Sequence, residues 1–235
     1  MLHRILAEHL YQADGGGHVG RFHFAYGDYQ DPLNGPFGAL EALNDFFVRS
    51  GEGFDAHTHR EVEIVSYCVE GELTHQDSKG NAEILRRGDV GYQCAGSGIT
   101  HAEKNCSPDK PLRFVQVLLA PNVPQLTPAY RSHHPSPGDR QNRWLRVVSR
   151  RLEGPAIQIS QDAEIFVSEV DRGVRLAYAL SAGRQAYLVC LEGSLSVNGL
   201  TLEQGAAIKA REVDPFYLEA REHAHVLLVD LAQRG

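Results

Sequence analysis

The sequence predicts an all-β protein made of two successive barrels, and three observations carry that reading. Short runs of alternating apolar and polar residues recur along the chain, punctuated by Gly, Pro, Asn and Asp. The stretch EGELTHQDSKGNAEI reads as a hairpin, with a turn at Asp77-Ser78-Lys79-Gly80-Asn81 between two strands. The chain also repeats itself weakly, VEGELT at 69–74 corresponding to LEGSLS at 191–196 and Gly88 to Gly205.

Taken in order, HRILAEHL opens as a short strand and Asp14-Gly15-Gly16-Gly17 follows as a flexible turn. These glycines do not form a phosphate cradle, since no G-x-x-x-x-G-K-[ST] pattern accompanies them. Phe22, Phe24 and Tyr26 alternate with other residues, so Arg21 to Tyr29 is read as a strand with one apolar face, ended by Asp31-Pro32. ALEALNDFFV then leads through Gly51 and Gly53 into a strand carrying His57 and His59. Beyond it, Val65, Tyr67 and Val69 are read on the face of these histidines, with Ile64, Ser66 and Cys68 on the other. Arg86-Arg87-Gly88-Asp89 reads as a turn, Gly96-Ser97-Gly98 as a bend, and LRFVQVLLA as a buried strand closing the first half.

Prolines at 121, 124, 128, 135 and 137 resist regular structure and mark a linker. The expected organisation is a metal-binding domain at 1–120, a linker at 121–142 and a second barrel at 143–235. In the latter, turns at Glu153-Gly154-Pro155, Asp171-Arg172-Gly173, Asn198-Gly199 and Gln204-Gly205 separate short strands.

Composition narrows the function classes. The 235 residues carry a net charge of −7, which argues against a nucleic-acid backbone as partner. The opening MLHRILAEHL is broken by His3, Arg4, Glu8 and His9, and no later run approaches membrane-spanning length, so a cytoplasmic protein without membrane association is expected. Cys68, Cys94, Cys106 and Cys190 form no C-x-x-C pair and are read as free thiols, Cys106 being the one close in sequence to Glu103.

The chemistry concentrates in two residue-x-residue pairs, His57 with His59 and His101 with Glu103. Side chains at i and i+2 leave a strand on one face, so each pair aims two donors in one direction. Three imidazoles and a carboxylate suit a divalent transition metal. Glu63, by the same parity, points to the face of His59. His133-His134 is read as part of a solvated loop, because neighbours on an extended chain point apart. His223 and His225 have no facing pair in register. Carried back from the Glu-Gly step of the repeat, an offset of 122 sets Ala179 and Ser181 opposite His57 and His59, so no ligands are expected in the second half.

Gly51-x5-His57-x-His59-x3-Glu63, followed by Gly88-x12-His101-x3-Asn105, resembles the paired motifs of the cupin superfamily. HTHREVEIVSYCVEGELTHQDSKGN with GSGITHAEKN resembles more closely the pirin family of two-domain cupins. FHFAYGDYQDP, ALEALND and IQISQDAEIF are also similar to pirin segments, and the likeness is dense over about residues 22 to 120. Ala102 stands where many pirins have Ser, and Cys94 at the usual Pro position of the second cupin motif. The resemblance implies two double-stranded β-helix barrels, a bicupin, with one divalent transition metal on His57, His59, His101 and Glu103, and with Glu63, at the position where ordinary cupins take their carboxylate ligand, as the rival to Glu103. It points to Fe(II) first, with Mn, Ni, Cu, Co or Zn as alternatives. It further implies quercetin 2,3-dioxygenase-type cleavage of a flavonol with O2; Glu103, as a carboxylate in an apolar cavity, is expected also to accept the substrate's hydroxyl proton. The alternative it implies is a metal-binding, redox-sensing regulator acting through a protein partner.

Overall fold

The structure, a computed structural model, describes residues 1–151, 154–213 and 215–233. The turn expected at Glu153-Gly154-Pro155 lies partly outside them. In chain order the first strands are β1 (Leu2–Ile5), β2 (Tyr11–Asp14), β3 (His18–Phe22), β4 (Leu40–Val48), β5 (Gly53–His59) and β6 (Glu63–Glu70). There follow β7 (Glu72–Asp77), β8 (Ala82–Arg86), β9 (Val90–Cys94), β10 (Ile99–Lys104), β11 (Leu112–Leu119) and β12 (Ala129–His133). The later strands are β13 (Leu145–Ser149), β14 (Ile157–Gln158), β15 (Ala163–Val170), β16 (Arg175–Tyr178) and β17 (Arg184–Glu192). The series ends with β18 (Ser194–Val197), β19 (Leu200–Glu203), β20 (Ala207–Arg211), β21 (Phe216–Ala220) and β22 (Ala224–Ala232). No helix among the described residues is long and apolar enough to cross a membrane.

The chain divides into two compact units. One comprises residues 11–134 and 159–161, the other residues 1–10, 135–158 and 162–235. Each is built from a seven-stranded and a four-stranded sheet. In the first unit the orders are β12-β9-β6-β11-β4-β3-β2 and β5-β10-β7-β8. In the second they are β1-β20-β17-β22-β15-β13-β14 and β16-β21-β18-β19. The five strands β9-β6-β11-β4-β3 correspond to β20-β17-β22-β15-β13, and the four strands of the smaller sheets correspond throughout, so the weak sequence repeat reflects one central topology used twice; the outer strands differ, β2 pairing antiparallel with β3 and β14 parallel with β13. Strand β12 falls within the proline-rich 121–142 segment and pairs with β9, while β1 pairs with β20. The expected turns recur: Gly80 N–H donates to the Asp77 carbonyl at 3.1 Å, and Asn198 and Gly199 take φ of 44° and 87° between β18 and β19.

One expectation about strand faces is corrected. The ligand strand does not run on: β5 stops at His59 and β6 starts at Glu63, with Glu61 at φ 51° between them. That left-handed turn is unfavourable for a residue with a Cβ and is held from outside. Glu61 N–H donates to the Gly96 carbonyl at 2.9 Å, and its carboxylate accepts from Gln125 N–H at 3.0 Å. Parity is therefore lost. Ile64, Ser66 and Cys68, rather than Val65, Tyr67 and Val69, share the interior with the histidines: Ser66 reaches Glu103, and Ile64 and Cys68 pack in the interior apolar clusters.

The interior of the first unit is layered. One apolar cluster contains Phe46, Cys68 and Phe114, and a second contains Ala42, Ile64 and Leu118. Between them, each of three strands places one polar side chain: Asn44 on β4, Ser66 on β6 and Gln116 on β11, all buried. Register sets Gln116 opposite both Asn44 and Ser66, so the three form a row across the sheet. Buried polar groups are costly unless partnered, so such a row marks a place where the core is given over to a site.

Candidate metal centre

Two strands of the smaller sheet bring the separated pairs together. Antiparallel pairing of β5 with β10 sets His101 directly opposite His57 and Ile99 opposite His59. Along β10, Ile99, His101 and Glu103 are buried while Thr100, Ala102 and Lys104 are half-buried, the expected period of two. The register shifts between His101 and Glu103, so Glu103 faces Phe54 on one side and His75 of β7 on the other.

Three imidazoles converge. Ring centroids lie 4.6 Å apart for His57 and His101, 4.8 Å for His57 and His59, and 5.1 Å for His59 and His101. One nitrogen from each falls within 4.8 Å of the other two. The Nε2 of His59 and both ring nitrogens of His101 are buried without a hydrogen-bond partner. An unsatisfied buried polar atom costs about 1–3 kcal/mol, so this concentration needs an occupant. His57 Nδ1 lies 2.7 Å from the Asp55 carbonyl, which can only accept, so Nδ1 carries the proton and Nε2 keeps its lone pair. Burial, reinforced by the neighbouring imidazoles, pulls His101 down to about 3 and His59 to about 4. Both rings are thus neutral near pH 7, the form that ligates. The donor set fits a divalent transition ion.

Glu103 lies one step deeper. Its carboxylate accepts from Ser66 Oγ and Gln116 Nε2, each at 2.7 Å, which joins it to the polar row. Burial raises its pKa to about 7, against the pull of those two hydrogen bonds. With His75 and His101 it forms a second group of three donors within 4.8 Å of one another.

Glu63 is employed otherwise. It is fully buried, and its carboxylate accepts from Tyr92 Oη at 2.6 Å, Ser160 N–H at 2.7 Å and Gln161 N–H at 2.8 Å. The break at Glu61 removes the parity that pointed it to the face of His59. His75 was not singled out from the sequence, although His75-x-Asp77 on the hairpin strand is the same kind of pair as His57-x-His59. Its ring stacks on Tyr130 at 4.1 Å and 11°, and its Nε2 lies 3.5 Å from Asp77 Oδ2.

The remaining histidine pairs have other partners. His134 sits between Glu83 at 2.8 Å and Asp89 at 3.0 Å, and the Asp89 contact raises its pKa. His225 Nδ1 lies 3.0 Å from Glu192, and His223 Nδ1 lies 3.4 Å from Asp171. Cys106 is exposed, the other three thiols are buried, and burial pushes Cys68 up to about 12.

In the second unit, Tyr178 of β16 stands opposite Phe216 of β21 as His57 stands opposite His101. Tyr178, Leu180, Phe216 and Leu218 all belong to that unit's apolar core. The corresponding positions are thus Tyr178 and Leu180, not Ala179 and Ser181. The stretch from this strand to the Glu-Gly step is one residue longer than in the first half, which a single offset misses.

Comparison with known proteins agrees with this architecture. The family description "Pirin" matches residues 8–119, and "Quercetinase C-terminal cupin domain" matches residues 146–231. A pirin-like protein of Caulobacter vibrioides is 35% identical over 99% of this chain and 100% of its own length. A quercetin 2,3-dioxygenase of Escherichia coli K12 is 28% identical over 88% of this chain and 89% of its own. The E. coli bacterial pirin YhhW, solved in complex with nickel(II), superposes with a TM-score of 0.93 at 26% identity, covering all of both chains. Twin barrels of one topology, the convergent histidines and these matches together place the chain in the pirin family, as a bicupin.

Proposed function

We propose that this protein is a metal-dependent dioxygenase acting on a flavonol of the quercetin type, with His57, His59, His101 and Glu103 as its metal-binding residues. The observation that carries the reading is the convergence of buried, unpartnered imidazole nitrogens beside a buried carboxylate. Fe(II) is the first choice of ion on donor chemistry, and nickel is supported by the YhhW complex. The ion, when bound, supplies Lewis-acid polarisation of a hydroxy-ketone substrate and access to O2.

The rest is done by the chain. Asp55 fixes the His57 tautomer and ring angle, while burial keeps His59 and His101 neutral. Glu103, with a pKa of about 7, is matched to accept a substrate hydroxyl proton near neutral pH. Ser66 and Gln116 hold its two oxygens in place, and the apolar layers above and below exclude bulk water.

Two measurements test this. Protein loaded in turn with iron, manganese, nickel and copper is expected to consume O2 in the presence of quercetin above the free-metal rate. Failure with every ion would overturn the dioxygenase reading and favour a regulator whose metal modulates a partner. Chelation is expected to destabilise the protein, since an ion at about 100 times its dissociation constant contributes about 2.7 kcal/mol. For a chain of this size that is a melting shift of about 5–10 °C. An unshifted melting curve in metal-free protein would count against a metal centre altogether.

A further inference from the structure

We infer that His75, with His101 and Glu103, forms an inner position for a divalent transition-metal ion, an alternative to the outer position on His57, His59, His101 and Glu103 that shares two of its donors. The inference rests on reading His57, His59, His101 and Glu103 as a metal centre. All three inner residues are buried, and β7–β10 register sets His75 directly opposite Glu103. Their donor atoms lie within 4.8 Å of one another. Metal–ligand bonds of about 2.0–2.2 Å place tetrahedral donors about 3.4 Å apart, so closing on an ion requires side-chain movements of about 1 Å.

A space for the ion is present. A cavity of about 10 Å³ is lined by His75, His101, Glu103, Ser66, Gln93 and Tyr130. That is about one water-sized sphere, room for a single ion or water and nothing larger. Gln93, only 3% exposed, lines it with neither amide atom hydrogen-bonded. His101 has both ring nitrogens unpartnered. A ring that ligates through one nitrogen ordinarily donates through the other to a carboxylate, carbonyl or water; with neither nitrogen of His101 so engaged, the neutral ring is free to take either tautomer and to ligate in one position or the other, one ion at a time.

His75 is oriented as a ligating histidine is. Asp77 stands at its Nε2, a carboxylate beside an imidazole, and Asp77 is itself held by Lys79 N–H, Asn81 N–H and Asn81 Nδ2 at 2.8–3.0 Å. The stack on Tyr130 fixes the ring plane. Two imidazoles and one carboxylate are the donor set of non-haem Fe(II) sites, so Fe(II), Co(II) and Ni(II) are the ions this position suits.

The test removes the outer donors and asks what remains. With Co(II) as probe, the H57A/H59A variant is expected to retain one ion per chain by equilibrium dialysis, with a visible spectrum unlike that of the wild type. Adding His75→Ala or His75→Gln is expected to weaken the residual binding by at least about 10–100-fold, the glutamine checking that the loss is not one of folding. Anomalous scattering from crystals of H57A/H59A soaked in Co(II) should place the ion in bonding contact with His75. Absence of Co(II) from H57A/H59A while the wild type binds, retention unaffected by His75 substitution, or a water at that point would overturn the inner position and leave the outer centre standing. A wild type that binds no Co(II) would overturn both.

Discussion

Replacing Glu63 by alanine is expected to destabilise the first unit by about 3–5 kcal/mol. The side chain is fully buried and accepts three hydrogen bonds, from the Tyr92 hydroxyl and the backbone of Ser160 and Gln161. Truncation strands these donors, at about 1–3 kcal/mol for each that finds no water. Ser160 and Gln161 belong to a short excursion, residues 159–161, that packs with the first unit although its neighbours on both sides belong to the second. The carboxylate is therefore a tie across long sequence separation. Denaturant unfolding measures the loss, and Tyr92→Phe, which removes one of the three donors, should cost less. A change below about 1 kcal/mol would show that the buried carboxylate is not an anchor. Metal content of the folded Glu63→Ala fraction should match the wild type, since the residue holds no position in either donor group.

Replacing His101 by alanine is expected to have the opposite profile, a small effect on folding and loss of metal-dependent turnover to the free-metal background. His101 is common to both groups of convergent donors, and its two ring nitrogens make no hydrogen bond that folding would lose. Glu103→Gln preserves volume and most packing against Ser66 and Gln116 but removes the charge. It is expected to weaken metal retention by more than the roughly 10–100-fold typical of outer-shell changes. Elemental analysis after dialysis and O2 uptake with quercetin provide the readouts. Trp144, the only tryptophan, lies in the second unit with its Nε1 donating to the Ala177 carbonyl at 2.9 Å. Its fluorescence should be unchanged in both variants, because that unit contributes no side chain to the centre. Full metal occupancy and undiminished turnover in His101→Ala would remove the proposed centre.

The local chemistry was legible in the chain. Period-two alternation within β5 and β10 places His57 with His59, and His101 with Glu103, on single faces, because side-chain direction in an unbroken strand depends only on parity. The Asp77–Asn81 and Asn198-Gly199 turns were equally legible, since their residue types favour the backbone conformations that the turns need.

What tertiary structure alone decided begins where parity is interrupted. Glu61 takes a left-handed conformation because Gly96 and Gln125 hold it there, and nothing in its own chemistry announces this. The interruption reverses the faces of β6, turns Ser66 toward Glu103, and accompanies the engagement of Glu63 by Tyr92 and residues 160–161. His75, Gln93 and Tyr130 reach the centre through β7–β10 and β9–β12 pairings. Strand partners and register are set by burial and hydrogen bonding summed over distant segments, so periodicity within one strand cannot name the residues that another strand brings to meet it.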